Sequence, residues 1–228
     1  VTGLTLAIET SNPSAWTPDS PARPGVAVAR AGEVLGVEAI DVERVNEDDL
    51  APAIARLFGR LGLKARDLRS LAVSVGPGGF TAVRLAVTTA KMIAEATGAQ
   101  CLPIPSAWVV ARRVRSGEPF AVALASKGES AFVTIFDAEG KPGEGQLLES
   151  AGLTGLGVRL VVADQFFPDS MRDAAGRAGL RVEPPVFDPV ACLEAAVGVT
   201  PVDPAALLPL YPREPEAVTK WKKLHPPG

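Results

Sequence analysis

The chain has a single histidine, His225, set beside two prolines near its C-terminal end. A metal centre built on several imidazoles is thereby excluded, and so is an intrachain Ser–His–Asp triad. Cysteine is almost as scarce. Cys101 and Cys192 form no CxxC pair, so a disulfide scaffold is not expected and a reducing compartment fits better. A basic excess is missing too: 23 lysines and arginines face 26 acids, for a net charge of −3. A dedicated nucleic-acid binder gains affinity by neutralising phosphates, so RNA contact here would be weak, local or made through a partner. Long apolar runs are absent. Leu4–Ile8 is too short for a secretion signal and has no basic leader. Nothing approaches the roughly 18 apolar residues of a membrane span. The chain opens on Val1, as a trimmed start or an unusual initiation codon would leave it, and a cytoplasmic protein is expected.

What the chain does have is apolar mass. Of its 228 residues 47% are hydrophobic, enough to bury a core in one large domain or two small lobes. With 22 glycines and 21 prolines it is loop-rich, yet short of the proportion found in disordered chains.

Leu4-Thr5-Leu6-Ala7-Ile8 has the pattern of a buried strand and runs into Glu9-Thr10-Ser11. Four prolines between Asn12 and Pro24 mark a loop. Gly25–Arg30 and Val34–Ile40 read as two further strands about an Ala31-Gly32 turn. Asn46 is placed to cap a helix, and Glu47, Asp48 and Asp49 suit the positive end of its dipole. Leu50, Ile54, Leu57, Phe58 and Leu61 then recur at helical spacing, and Gly62 stops the run. A strand Leu71–Val75 enters Gly76-Pro77-Gly78-Gly79, and a helix over 81–96 follows. After the short strand Cys101–Ile104, Pro103 and Pro105 mark a lobe boundary. Beyond it lie strands Phe120–Leu124, Ala131–Asp137 and Val158–Val162, then a helix over 165–178 capped by Asp164. Prolines alternate with a short alanine-rich helix between Val182 and Pro204. No internal repeat is evident, although both halves open with a strand hairpin. Three sequential strands followed by helix, strand and helix define an α/β protein with a mixed rather than purely parallel sheet.

Two places could carry chemistry. Gly76, Gly78 and Gly79 with Thr81 form a strand–glycine turn–helix start, where backbone N–H groups can meet an anion. The turn is neither GxGxxG nor GxxxxGK[ST], and local sequence favours a structural tight turn over a phosphate cradle. Glu9, Thr10 and Ser11 end the first strand, where ligands gather in open α/β sheets. A carboxylate there could hold a metal-bound water and the hydroxyls a phosphate. Equally, Thr10 and Ser11 could satisfy the turn backbone. Glu47-Asp48-Asp49 is better explained as helix-start electrostatics. Lys220-Trp221-Lys222-Lys223 mixes a ring with cations, as an RNA contact would, but a solvated end that docks one tryptophan is favoured.

These segments name a family. Leu6-Ala7-Ile8-Glu9-Thr10-Ser11 resembles the LAIDTS opening of the bacterial TsaB (YeaZ) family. Gly76-Pro77-Gly78-Gly79-Phe80-Thr81-Ala82-Val83-Arg84 is similar to its GPGSFTGLR signature, and Ala90-Lys91 to its TAKG-like stretch. Leu210–Ala217 resembles its C-terminal P-x-Y-x-R-x-P-x-A segment. The resemblance implies an actin-like (ASKHA, ribonuclease H-like) fold of two lobes that has lost its catalytic equipment. It implies residues 1–104 as the first lobe with 205–228 packed back onto it, and 105–204 as a smaller second lobe. It further implies a scaffold and activator that pairs with the catalytic subunit TsaD and the ATPase TsaE. That complex forms threonylcarbamoyladenosine at position 37 of tRNAs reading codons that begin with A, and tRNA is met only through it. No cofactor, metal or catalytic residue is expected in the chain itself.

The chain departs from the family pattern in several places. The family's Asp is Glu9, its signature Ser and Gly are Gly79 and Ala82, and its HSExLLP-like motif lacks the histidine in Asn46–Pro52. The loop from Asn12 to Pro24 is longer than usual. Two other functions are open to this fold. A nucleotide-binding ATPase or kinase-like enzyme needs a second acidic phosphate loop, and none follows residue 105. A glycoprotease-like hydrolase fails on the single misplaced histidine. For a scaffold the contact helices matter most, since the family meets TsaD through its first two. Leu50, Ile54 and Leu57 stripe the first. On the second, Leu85 and Ile93 fall off the main stripe, and Ala82, Ala86 and Ala90 would let a partner helix approach. Without a partner the same patch is expected to pair with itself as a two-fold dimer.

Overall fold

Alternation along a strand sends successive side chains to opposite faces, and here the two faces differ in size. The computed structural model describes residues 3–42 and 49–213, together with Val218, Trp221, Leu224 and His225. In it β1 (Leu4–Glu9) points Leu4, Leu6 and Ile8 into a cluster of large apolar side chains, and Ala7 into a second, tighter one. β1 pairs antiparallel with β2 (Gly25–Arg30), and β2 with β3 (Glu33–Ala39). On its other side β1 runs parallel to β4 (Leu68–Gly76), and β4 to β5 (Gln100–Pro105). The order is β3-β2-β1-β4-β5.

A second sheet repeats that plan. β6 (Phe120–Lys127), β7 (Ser130–Phe136) and β8 (Gln146–Glu149) form the antiparallel meander, while β9 (Leu160–Ala163) and β10 (Arg181–Glu183) join β6 in parallel. Its order, β10-β9-β6-β7-β8, matches the first strand for strand. The repeat is one of hydrogen-bonded topology, not of side chains, which is why the sequence does not display it. Two lobes of mixed α/β sheet on this plan are the actin-like fold.

Among the described residues five helices pack on the sheets. α1 (Leu50–Leu61) and α2 (Phe80–Thr97) share one face of the first sheet, where Leu57, Val83, Ala86 and Ala90 are buried with Leu6, Val28 and Val73. Burial of a large aliphatic side chain there contributes about 1.5–3 kcal/mol. Gly62 and Gly98 close these helices in the left-handed region, at φ 63° and 72°. The opposite face is reached by α3 (Ser106–Ala111) and α5 (Pro189–Ala195). Ala7 lies beside both Ala27 and Ala72 in register, and this patch of small residues lets Ala191, Cys192 and Ala195 of α5 come close. α5 lies within 105–204 yet packs on the first sheet. α4 (Asp169–Arg177) covers the second sheet with Met171 and Ala175.

Several elements differ from their sequence patterns. Asn46, Glu47 and Asp48 lie outside the described residues. α1 starts after Asp49, whose carboxylate is turned to the Arg56 guanidinium at 2.8 and 2.9 Å instead of capping the helix. Arg60 donates to the Val37 carbonyl at 2.7 Å and to Glu38 at 2.6 Å, covering a group on edge strand β3. Asp164 does not cap a helix at 165. Its Oδ1 accepts from the Phe166 amide at 3.0 Å, and α4 begins after Pro168, whose ring cannot sit inside a helix. β8 has no alternating signal because it is short and largely exposed.

The C-terminal segment divides. Leu207 is fully buried in the first-lobe cluster, with Leu210 packed against it, and the Leu210 amide donates to the Val75 carbonyl at 2.7 Å. Leu208, Tyr211 and Trp221 are exposed, so the docked tryptophan expected from the sequence is not seen. Lys220, Lys222 and Lys223 lie outside the described residues.

Candidate functional site

The ends of β1 and β4 lie side by side, and the residues expected to carry chemistry meet there. Glu9, Thr10, Ser11 and Asn12 are all buried. Glu9 Oε1 accepts from the Ser11 amide at 2.9 Å and from Ser11 Oγ at 2.7 Å. Its Oε2 is buried with no partner among the described residues. Burial pushes the Glu9 carboxyl above the usual range, the Ser11 hydrogen bonds pull it down, and the Asp188 charge adds to the rise. The net shift is upward, with burial the largest cause.

The glycine turn folds over that carboxyl. Gly76 sits at φ 102°, a conformation few other residues adopt. At Gly78 a Cβ would stand 2.2 Å from the Ser11 carbonyl oxygen, so only glycine permits the approach. The Gly79 amide donates to that same oxygen at 2.8 Å, and Asn12 Nδ2 donates to the Pro77 carbonyl at 3.2 Å and to Ser11 Oγ at 3.1 Å. The Gly79 N–H, one of the donors at the start of α2, is thus taken by the chain itself. Thr81 is exposed. The backbone forms a tight turn here, held by contacts within the chain.

Three residues that sequence reasoning missed complete the cluster. Ser74 of β4 and Ser106 at the start of α3 share a hydrogen bond of 2.9 Å, both fully buried. Cys192 of α5 lies 3.7 Å from the Ala72 carbonyl, and burial holds its thiol well above the ordinary value. The one sequence signal was Ser74, a polar residue inside the apolar run Val73-Ser74-Val75. Among the described residues no group of three or more metal-ligating side chains occurs.

The contact-helix residues separate into two sets. Leu50, Leu57, Ala86 and Ala90 are core residues, between 0% and 2% exposed. Their expected role in a partner contact is corrected: the small side chains of α2 admit its own sheet. Ile54, Ala82, Leu85 and Ile93 are half-buried at the flanks. The apolar groups that do reach solvent were not anticipated. On α2 Phe80 is 59% and Met92 68% exposed, and Leu208 and Tyr211 of the C-terminal segment are exposed as well. The Phe80 and Tyr211 rings stack at 5.4 Å, and Arg84 lies 5.0 Å over Phe80.

The fold and this closed crevice define an actin-like protein whose strand-end site is filled by its own side chains. Comparison with known proteins places it further. The chain belongs to the family described as TsaD: tRNA N6-adenosine threonylcarbamoyltransferase, whose model matches residues 36–151, about half of the chain. Among solved structures it is similar to YeaZ from Pseudomonas aeruginosa, at 18% identity and a TM-score of 0.68, covering 92% of this chain and 99% of that one. A protein with similarity to peptidase YeaZ, also from Pseudomonas aeruginosa, matches at 19% identity and a TM-score of 0.69, covering 92% and 100%. The fold is YeaZ-like, as the LAIDTS-like and GPGSFTGLR-like segments implied.

Proposed function

We propose that the chain is a non-catalytic scaffold and activator of the complex that forms N6-threonylcarbamoyladenosine at position 37 of tRNAs reading codons beginning with A. It works in the cytoplasm with a TsaD-like catalytic subunit and a TsaE-like ATPase, meets tRNA only through them, and pairs with itself when alone. The observation that carries this reading is the Gly79 N–H···O bond to Ser11, by which the glycine turn closes onto the end of β1 and spends one of the helix-start donors on protein. The burial of Glu9, whose Oε1 accepts twice from Ser11, supports it too. The partner contact is assigned to the exposed flank of α2, where Phe80 and Met92 stand clear of the core beside half-buried Leu85 and Ile93. The division at residues 104 and 105 is kept, with α3 and α5 as the helices packed between the lobes. Co-purification of the tagged chain with the host's TsaD-like protein tests the reading, and failure of the two to associate at micromolar concentration contradicts it.

A further inference from the structure

β1 and β2 are antiparallel neighbours whose ends, Glu9 and Gly25, are paired. A two-residue turn could join them. The chain instead runs through residues 10–24, and ordering that excess costs conformational entropy that contacts must offset. The contacts are made largely to the other lobe. A short 3-10 turn, Pro13–Ala15, sets Ala15 at 7% exposure into the cluster of Ala107, Val110, Phe120, Val122 and Leu124. The Ser14 carbonyl accepts from Gln165 Nε2 at 2.7 Å, just beyond the end of β9. Within the segment, the Arg23 guanidinium lies 4.4 Å over the Trp16 ring and pins its two limbs together. Both ends are anchored on the first lobe, through Asn12 to the Pro77 carbonyl and through the Pro24 carbonyl to the Ile40 amide at 3.0 Å. A crevice of about 350 Å³ remains between the segment and Asp164, Arg172 and Pro184.

We propose that residues 12–24 form an interlobe strap, which fills the crevice mouth from the first lobe and fixes the orientation of the second. The strap does from within the chain what a bound ligand does for two lobes that close on one. It gives a rigid body to whatever partner the chain meets, independently of the partner's identity.

Distance measurement between lobes tests this. Spin labels are placed at Val34→Cys on β3 and Leu147→Cys on β8, both exposed, in protein diluted with unlabelled chain so that self-pairing adds no distance, while native Cys101 and Cys192 are fully buried and take no label. The full chain is expected to give one narrow distance distribution. Replacing residues 13–23 by Gly-Ser-Gly, or introducing Ala15→Arg, is expected to broaden it at least twofold or add a second peak. Gln165→Ala, which removes one hydrogen bond and leaves the fold intact by circular dichroism, is expected to broaden it to a smaller degree. Should the shortened chain not fold, the two point variants decide. Widths equal to those of the parent in the variants that fold overturn the strap.

Discussion

Replacing Glu9 by glutamine keeps the shape of the buried side chain and removes its titration. In the folded chain the carboxyl is held above its ordinary value by burial, whereas in the unfolded chain it returns to about 4.3. Between those two values the folded state binds more protons than the unfolded state, so stability falls as pH rises. The contribution is fully present below the unfolded value and is lost as pH climbs through the folded one. The slope from a single group reaches at most about 1.4 kcal/mol per pH unit. In Glu9→Gln the amide oxygen keeps both Ser11 hydrogen bonds. Its NH₂ takes the place of Oε2, which has no partner among the described residues. The protonated acid carries its own O–H at that same oxygen, so an unmet buried donor, which costs about 1–3 kcal/mol, is common to both proteins at acid pH. The variant is therefore expected to lie close to the parent at acid pH and to lose less stability as pH rises. Urea unfolding followed by circular dichroism from pH 4 to pH 9 measures this. Parallel curves for the two proteins would refute the account of a carboxyl raised by burial.

The glycine turn discriminates between neighbours. Gly78→Ala forces a Cβ against the Ser11 carbonyl and is expected to cost at least about 2 kcal/mol in denaturant unfolding. Gly79→Ser, where the nearest atom to a Cβ lies at 3.6 Å, is expected to change stability by no more than about 0.5 kcal/mol. On α2, Phe80→Glu and Met92→Glu alter exposed positions and are expected to keep wild-type stability while weakening association in sedimentation. Leu57→Glu, by contrast, buries a charge and is expected to unfold the first lobe.

What the sequence displayed and what it hid follow from the range of the interactions. β2 was legible to the residue, and α1 and α2 to within a residue at their glycine stops, because alternation and left-handed closure are local signals. The start of α4 was misplaced because Asp164 resembles a cap while Pro168, four residues on, decides where the helix can begin. The apolar stripes of α1 and α2 were visible, yet a helix lying on its own sheet and one meeting a partner use the same periodicity. Only burial separates Leu57 and Ala86 from Phe80 and Met92. Glu9, Thr10, Ser11 and the glycines were found because they sit at the ends of strong strands. Ser106 and Cys192 were not, since their meeting with Ser74 and Ala72 joins segments 32 and 120 residues apart.

Reconstitution tests the scaffold reading most directly. The purified chain, a TsaD-like catalytic subunit and a TsaE-like ATPase from the same cell are combined with unmodified tRNA, ATP and the activated threonylcarbamoyl donor, and threonylcarbamoyladenosine at position 37 is measured. The account predicts no product from the chain alone, product from the full mixture, and loss of most product when this chain is omitted or carries Phe80→Glu. Equal product without the chain, or turnover by the chain alone that Glu9→Ala abolishes, would contradict it.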